Sequence, residues 1–389
     1  FAGTLALFLL NAKDIAAIGK NPGEYFALIF FVLCGIAIAS SFNTLLMLFI
    51  GIEIISIPLY ILTGSDKRNL KSNEAALKYL LLGAFSTGLM LLGIAFLYGA
   101  SEKGTFFIDE LALGKAATSP MMMVGLLLIM SALAFKVSAA PFHFWAPDVY
   151  DGAPTPITSF MATIVKGGAF IAFIRLFGDA FGNIKPHWQL FIAILAAATL
   201  LIGNITAVFQ QSVKRMLAYS SVAHMGFMLF SLLTLNTLAR EGIILYIAAY
   251  SVATIGLFAV VTRMKDYSFE GFNGMANRYP KLALLTTIFL LSLAGIPLTG
   301  GFLAKYYMIA AVMQNGHFLW LVILSLICAA ISIYYYFRVI QAMYFKEGPG
   351  QQLEISPGFT GWLIVLALIV ILLGIFPQWL IDRLYIIYL

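Results

Sequence analysis

The sequence predicts an all-α polytopic membrane protein, and three observations carry that prediction. Hydrophobic residues make up 62% of the 389-residue chain and charged residues only 10%, whereas an ordinary soluble domain carries about 25% charged residues. Apolar runs of about twenty residues, the length at which a helix crosses a bilayer, follow one another along nearly the whole chain. No polar stretch between them is long enough to build a soluble domain, so the chain reads as one membrane domain with mean hydropathy +0.97.

Residues 1–10 are apolar but too short to span, and read as the tail of a helix that starts upstream; no signal-peptide pattern stands there. Eleven runs follow: 25–42, 45–63, 75–99, 121–144, 157–177, 188–209, 216–235, 243–264, 282–314, 318–345 and 359–376. Cys34 and Cys328 both fall inside apolar runs, without the spacing of a metal site or a disulfide framework. They read as small buried residues.

Alternating the runs across a bilayer sorts the cations. Twelve fall on one side, in the loops around 13–24, 67–71, 147–156, 214–215, 263–281 and 346; five fall on the other, Lys103, Lys115, Lys185, Arg240 and Arg383. The positive-inside rule makes the twelve-charge side cytoplasmic. The net charge of +6 is scattered over these loops, which suits a membrane protein and not a nucleic-acid footprint. Six cations lie within runs. Lys78, Arg175 and Arg338 are near span ends and are expected to snorkel.

The other three are Lys136, Lys166 and Lys305, and Glu53 is the acidic residue in the middle of a run. A mid-bilayer charge costs roughly 2.5–3.5 kcal/mol on insertion scales, so four unpaired dry ones would cost on the order of 10 kcal/mol. Such groups face each other or water, and mark ion or proton paths. Burial disfavours the protonated form of an amine and a neighbouring carboxylate favours it. At about 6 Å and an effective dielectric near 20 the attraction is about 3 kcal/mol. A Glu–Lys pair of variable separation is therefore a proton switch, the alternative being a static pair that locks helices together. Glu53 is expected close to Lys136.

Two runs contain breaks beside a lysine. Pro141 follows Lys136 by five residues, with His143, Pro147, Pro154 and Pro156 beyond it; Gly295, Pro297, Gly300 and Gly301 precede Lys305. Proline removes a helical hydrogen bond and clashes with the preceding turn. Inside a bilayer such breaks persist where they are buried in protein or line water, and paired interruptions in two halves of a transporter point to its site. Both helices are expected to be interrupted, with Lys136 and Lys305 beside freed carbonyls or water. The plainer alternative is packing, which also uses Pro and Gly in membrane helices. His224 suits either a proton relay between the lysines or a packing role against a backbone carbonyl. His143 is read as structural, and His187 and His317 as interfacial.

Phosphate loops, dinucleotide fingerprints, HExxH and paired haem or iron–sulfur ligands are not visible. The segment Lys136-Val-Ser-Ala-Ala-Pro-Phe-His-Phe-Trp-Ala-Pro-Asp-Val-Tyr-Asp-Gly-Ala-Pro-Thr-Pro-Ile-Thr158 resembles the broken-helix signature of the antiporter-like subunits of respiratory complex I. Its Asp148–Pro154 part looks like the subunit N branch of that family. Ser292-Leu-Ala-Gly-Ile-Pro-Leu-Thr-Gly-Gly-Phe-Leu-Ala-Lys305 resembles the second broken helix, and Lys214-Arg-Met-Leu-Ala-Tyr-Ser-Ser-Val-Ala-His-Met-Gly226 is also similar. The resemblance covers nearly the whole chain.

The resemblance implies two inverted five-helix repeats, at 25–178 and 179–346, each with one broken helix. Residues 1–24 would precede them and 347–389 would form a C-terminal helix region. It implies proton translocation along Glu53, Lys136, Lys166 and Lys305, driven by quinone reduction elsewhere in an NADH:quinone oxidoreductase. Lysine at position 305 resembles subunit N and not subunit M, whose counterpart is glutamate. No cofactor is expected in this chain; NAD, FMN, iron–sulfur clusters and quinone belong to other subunits. The implied partners are subunit M, small subunits such as K and J, lipid and protons, in a bacterial inner membrane, with no nucleic acid. Two alternatives stand: a subunit of a multisubunit Na⁺/H⁺ antiporter, and a non-transporting spacer of the membrane arm.

Overall fold

The computed structural model describes residues 1–18, 21–111, 119–348 and 350–387. Its helices follow the apolar runs. They are α1 (Ala2–Ile18), α2 (Pro22–Ser41), α3 (Leu45–Thr63), α4 (Leu70–Ala100), α5 (Pro120–Lys136), α6 (Trp145–Gly152), α7 (Thr155–Gly178) and α8 (Lys185–Val208). Then come α9 (Val213–Thr234), α10 (Thr237–Arg263), α11 (Pro280–Ala294), α12 (Gly300–Asn315), α13 (Leu319–Phe345), α14 (Pro357–Ile375) and α15 (Gln378–Ile387). Among the described residues nine helices are long and apolar enough to cross a membrane. Two further crossings are made in halves, α5 with α6 and α11 with α12. The described residues form no strand, only isolated bridges at Thr44–Phe107 and Ser212–Ser268.

Helix starts carry their own stop signals. Thr44, Ser119, Ser212, Asn236 and Ser356 each accept a backbone N–H of the first turn, satisfying donors that have no intrahelical partner.

Loop contacts define two faces. On one, Arg263 pairs with Asp14 at 2.9 Å, Lys214 donates to the Asp151 carbonyl, Thr155 meets Tyr267, and Arg278 donates to the Gly350 carbonyl. On the other, Arg175 donates to the Phe42 carbonyl, Lys185 to that of Thr234, and Asn236 to that of Ala311. These groupings match the sides expected from the cation count. Lys20 and Lys115 lie outside the described residues.

Several helix pairs come into backbone contact through glycine, α4 with α5 at Gly93 and Gly125 among them, and two of these pairs share one arrangement. A Cβ on Gly35 of α2 would stand 2.8 Å from the Ile55 nitrogen of α3, and one on Gly51 2.8 Å from the Ala39 nitrogen. The α8–α9 pair repeats this: a Cβ on Gly203 would lie 2.6 Å from the Ala223 nitrogen, and one on Gly226 3.0 Å from the Leu200 nitrogen. Small residues at membrane helix interfaces permit such approach, where lipid gives no hydrophobic drive between helices. α2 and α8 run in opposite senses across the two faces, so the pairs are inverted copies of one arrangement.

Candidate functional site: a buried polar line between two broken helices

Both breaks occur where proline and glycine placed them. α5 ends at Lys136, and a loop through the Ala140–Pro141 bond leads to α6. The break is closed by side chains. The Trp145 indole N–H donates to the Phe135 carbonyl at 2.9 Å, and the Ala140 N–H donates to Thr199 Oγ1 at 2.9 Å. α11 ends at Ala294, and 295–299 lead to α12. Gly295 and Leu298 have φ of +85° and +70°, and Ser138 in the first break has +60°. Left-handed backbone at Ser138 and Leu298 costs about 1 kcal/mol or more each and clusters at functional sites.

Lys136 is buried and donates to Ser56 Oγ of α3 at 2.8 Å. Glu53, one turn earlier on α3, is half-buried and accepts from Thr87 Oγ1 of α4 at 2.8 Å. Lys136 and Glu53 are electrostatically coupled, yet each hydrogen-bonds a hydroxyl and not the other. Glu53 also lines a groove of about 700 Å³, open to the outside between α3 and α4, with Tyr60 and Thr87 as its other polar lining. The freed Phe135 carbonyl of the first break goes to Trp145, and the protein partner of Lys136 is a side-chain hydroxyl and not a freed carbonyl, one of the two surroundings expected for it. Lys305 does meet freed carbonyls. Its Nζ donates to the carbonyls of Leu293 and Ala294, both at 2.9 Å, at the C-terminus of α11. The negative end of the helix dipole lies there, and the Phe227 ring is 5.2 Å away.

Lys166 lies between them on α7, immediately after a π-helical turn at Met161–Val165. Such turns are rare and frequent at functional sites. Its Nζ donates to Ser221 Oγ of α9 at 2.5 Å and sits 5.1 Å from the Tyr150 ring. A Cβ on Gly168 would come 2.6 Å from Ile36 Cγ2, the close packing that Gly167-Gly168 suggests. His224, also on α9, joins Nδ1 to the Tyr246 hydroxyl at 2.7 Å and Nε2 to that of Tyr336 at 3.1 Å. It bonds hydroxyls on two other helices, not a carbonyl. The interior adds buried hydroxyls at Ser138, Tyr150, Tyr250 and Thr254 that complete no hydrogen bond of good geometry within the protein. Buried polar groups of this kind are the ones ordered water satisfies. From Glu53 to Lys305 each ionisable group thus has its own partners, hydroxyls for Glu53, Lys136, Lys166 and His224 and carbonyls for Lys305.

Lys78 reaches the half-exposed rim of the bundle, as expected of a snorkelling lysine, and finds acids there. It pairs with Glu74 and with Asp148 of α6, both at 2.7 Å, and Asp148 also pairs with Arg215 of α9 at 2.8 Å. Lys214 donates to the carbonyls of Asp151 and Ala153 at the end of α6. Arg175 and Arg338 likewise bond named carbonyls, at Phe42 and Val208. His143 is buried with Nδ1 unpaired. The sequence reading missed Ser56, Thr87, Ser221, Tyr246 and Tyr336. The tyrosines carried a signal, because membrane proteins concentrate Tyr at the two interfaces while these two lie well inside spans.

A family model described as NADH:quinone oxidoreductase/Mrp antiporter, transmembrane, matches residues 42–332. The chain belongs to this family. Among family members it is 41% identical to NADH-quinone oxidoreductase subunit N of Cytophaga hutchinsonii, over 96% of this chain and 82% of that one. It superposes on a chain of respiratory complex I from Thermus thermophilus with TM-score 0.85 and 31% identity, covering 98% of this chain and 83% of the other. A chain of the Mrp complex from a Dietzia species gives TM-score 0.85 at 19% identity, over 98% and 80%, and shares the family fold.

Proposed function

We propose that this chain is the antiporter-like, proton-translocating subunit N of a membrane-embedded NADH:quinone oxidoreductase. The polar line from Glu53 to Lys305 carries the reading. It sets mid-membrane ionisable groups of both broken helices among buried side chains that can exchange protons, in the family whose subunit N relatives are matched over about four fifths of their length. The residue roles are these. Glu53 and Lys136 form a switch whose separation sets the lysine's hold on its proton, worth about 3 kcal/mol at about 6 Å. Lys166 and His224 pass protons onward, and Lys305 ends the line on the α11 carbonyls. The repeats are taken as 25–178 and 179–346, with 1–24 before them and 347–389 after. Subunit M and small subunits such as K and J are the proposed neighbours. NAD, FMN, iron–sulfur clusters and quinone reside in other subunits, and the membrane is a bacterial inner one with the Lys/Arg-rich face cytoplasmic. The Na⁺/H⁺ antiporter alternative finds less support, because the Mrp likeness is 19% in identity.

The test replaces Lys136 or Glu53 by alanine in the assembled complex. Proton pumping and coupled quinone reduction fall, and the defect deepens as the opposing potential rises, since one charge against 100 mV costs about 2.3 kcal/mol. Parental rate and proton-to-electron ratio in both assembled variants would make the residues structural and end this reading.

A further inference from the structure

Lys214 and Arg215 open α9 and take no part in the proton line, yet Lys214 is only 3% exposed. Its partner is the end of a half-helix. α6 is eight residues long. The last carbonyls of a helix lack intrahelical donors and carry the negative end of its dipole. In α6 the Tyr150 carbonyl accepts from Thr158 Oγ1 at 2.9 Å. The carbonyls of Asp151 and Ala153 accept from the Lys214 ammonium at 2.9 and 2.7 Å, and the Tyr267 ring stands 5.3 Å from that ammonium. Arg215 reaches the side of the same turn, donating to Asp148 Oδ1 at 2.8 Å. Two adjacent cations of α9 thus hold the last turn of α6. The start of α6 is held separately, by the Trp145 bond to the Phe135 carbonyl and by stacking of Trp145 on Tyr79 of α4, centroids 4.5 Å apart.

Resting on the proton-translocation reading, we propose that Lys214 and Arg215 are positioning residues for Lys166, clamping the end of α6 to α9 so that the two walls around its ammonium keep a fixed separation. One wall is Tyr150 of α6, fully buried, whose ring lies 5.1 Å from Lys166 Nζ. The other is Ser221 of α9, which accepts from Nζ at 2.5 Å. Ser221 stands seven residues beyond Lys214, roughly two turns along one side of α9. One side of one helix therefore carries a wall of the cage and the grip on the opposite wall. The tolerance is small. A ring face attracts a cation within about 6 Å of its centroid, so a modest drift of α6 would release Lys166 from Tyr150. Toward α4, backbone holds α6, because a Cβ on Gly152 would strike the Lys71 carbonyl. Toward α9, the side chains of Lys214 and Arg215 supply three hydrogen bonds, and substitution can release them. An ammonium suits two main-chain carbonyls, since it has three donors and no acceptor. α6 belongs to the proposed first repeat and α9 to the second, so the clamp sets one repeat against the other at Lys166.

The experiment measures proton pumping by the whole complex in membrane vesicles and builds a double-variant cycle from Lys214→Met and Tyr150→Leu. Each alone should lower pumping roughly fivefold or more, about 1 kcal/mol of barrier. Because Lys214 acts through Tyr150, the two losses should not multiply. In the Tyr150→Leu background Lys214→Met should cost less than about a further twofold, the non-additivity of residues that share one interaction. Arg215→Gln, which leaves Asp148 paired with Lys78, should show the same dependence with a smaller loss, and Arg215→Lys should restore most of it. Lys265→Met removes an exposed cation of the same face and should pump normally in both backgrounds. Normal pumping in either Lys214→Met or Tyr150→Leu overturns the clamp. So does a Lys214→Met loss of equal factor with and without Tyr150→Leu, since that is the behaviour of a residue that only supports the fold. Parental pumping in assembled Lys166→Ala would remove the underlying reading instead. If Lys214→Met does not assemble, Arg215→Gln and Arg215→Lys are judged by the same cycle.

Discussion

The two broken helices solve one problem with different materials. In the first, α5 to α6, side chains close the gap: Trp145 takes the Phe135 carbonyl, Thr199 takes the Ala140 N–H, and Ser56 takes the lysine. In the second, α11 to α12, backbone packs directly on backbone, beside one side-chain link from the Gly301 N–H to Ser292 Oγ at 3.2 Å. A Cβ on Gly301 would stand 2.7 Å from the Ser292 carbonyl carbon, one on Gly374 of α14 would stand 2.5 Å from the carbonyl carbon of Thr299, and the lysine rests on two main-chain carbonyls. One lysine is coupled to a carboxylate and the other to a helix terminus. The difference places adjustable charge coupling at Lys136 and a fixed acceptor at Lys305.

That contrast can be broken at three points. The largest effect belongs to Gly301→Ala. Backbone cannot move aside as a side chain can, and overpacking costs about 3 kcal/mol or more at its upper end. The assembled fraction surviving a heat challenge should collapse, while Gly358→Ala, with nothing within 4 Å, should change nothing. Equal survival of the two would show that backbone contact does not hold the second break. Next is Ser56→Ala, which leaves the Lys136 ammonium without its hydroxyl. Interhelical hydrogen bonds in membranes reach about 1.7 kcal/mol, and a cost near that top value is expected in unfolding titrations. Ser325→Ala, whose hydroxyl bonds only its own helix, should cost less. The smallest is Thr199→Val, expected near the membrane average of about 0.6 kcal/mol. It should also raise hydrogen exchange at the Ala140 amide, and unchanged exchange would mean that another group holds that amide.

How far these features could be read beforehand follows the same physics. Lys136, Lys166, Lys305 and Glu53 stood out because lipid penalises charge, and Pro141 and Pro297 marked the breaks because neither can donate to a helix. Partners were not legible in the same way. Lys136 meets Ser56 across 80 residues, and Lys78 meets Asp148 across 70. A serine in an apolar run looks the same whether it bonds its own helix or a lysine. The π-turn before Lys166 left no mark either, because Met161–Val165 is an ordinary apolar stretch. Tyr336 carries no charge to single it out, although its depth in α13 sets it apart from interfacial tyrosines.

Helices in backbone contact cannot slide past one another, so the α2–α3 and α8–α9 couples behave as stiff struts. Glu53 and Ser56 ride on one strut, and Ser221 and His224 on the other. Lys136 ends α5 at the first break, and Lys305 lies on α12 beyond the second. Lys136 therefore meets an acceptor on a strut, Ser56, and Lys166 meets one on the other, Ser221, whereas Lys305 rests on the end of its own interrupted helix pair. Work delivered from a neighbouring subunit would move Lys136 relative to Ser56 and Glu53, and would leave the spacing of those two unchanged.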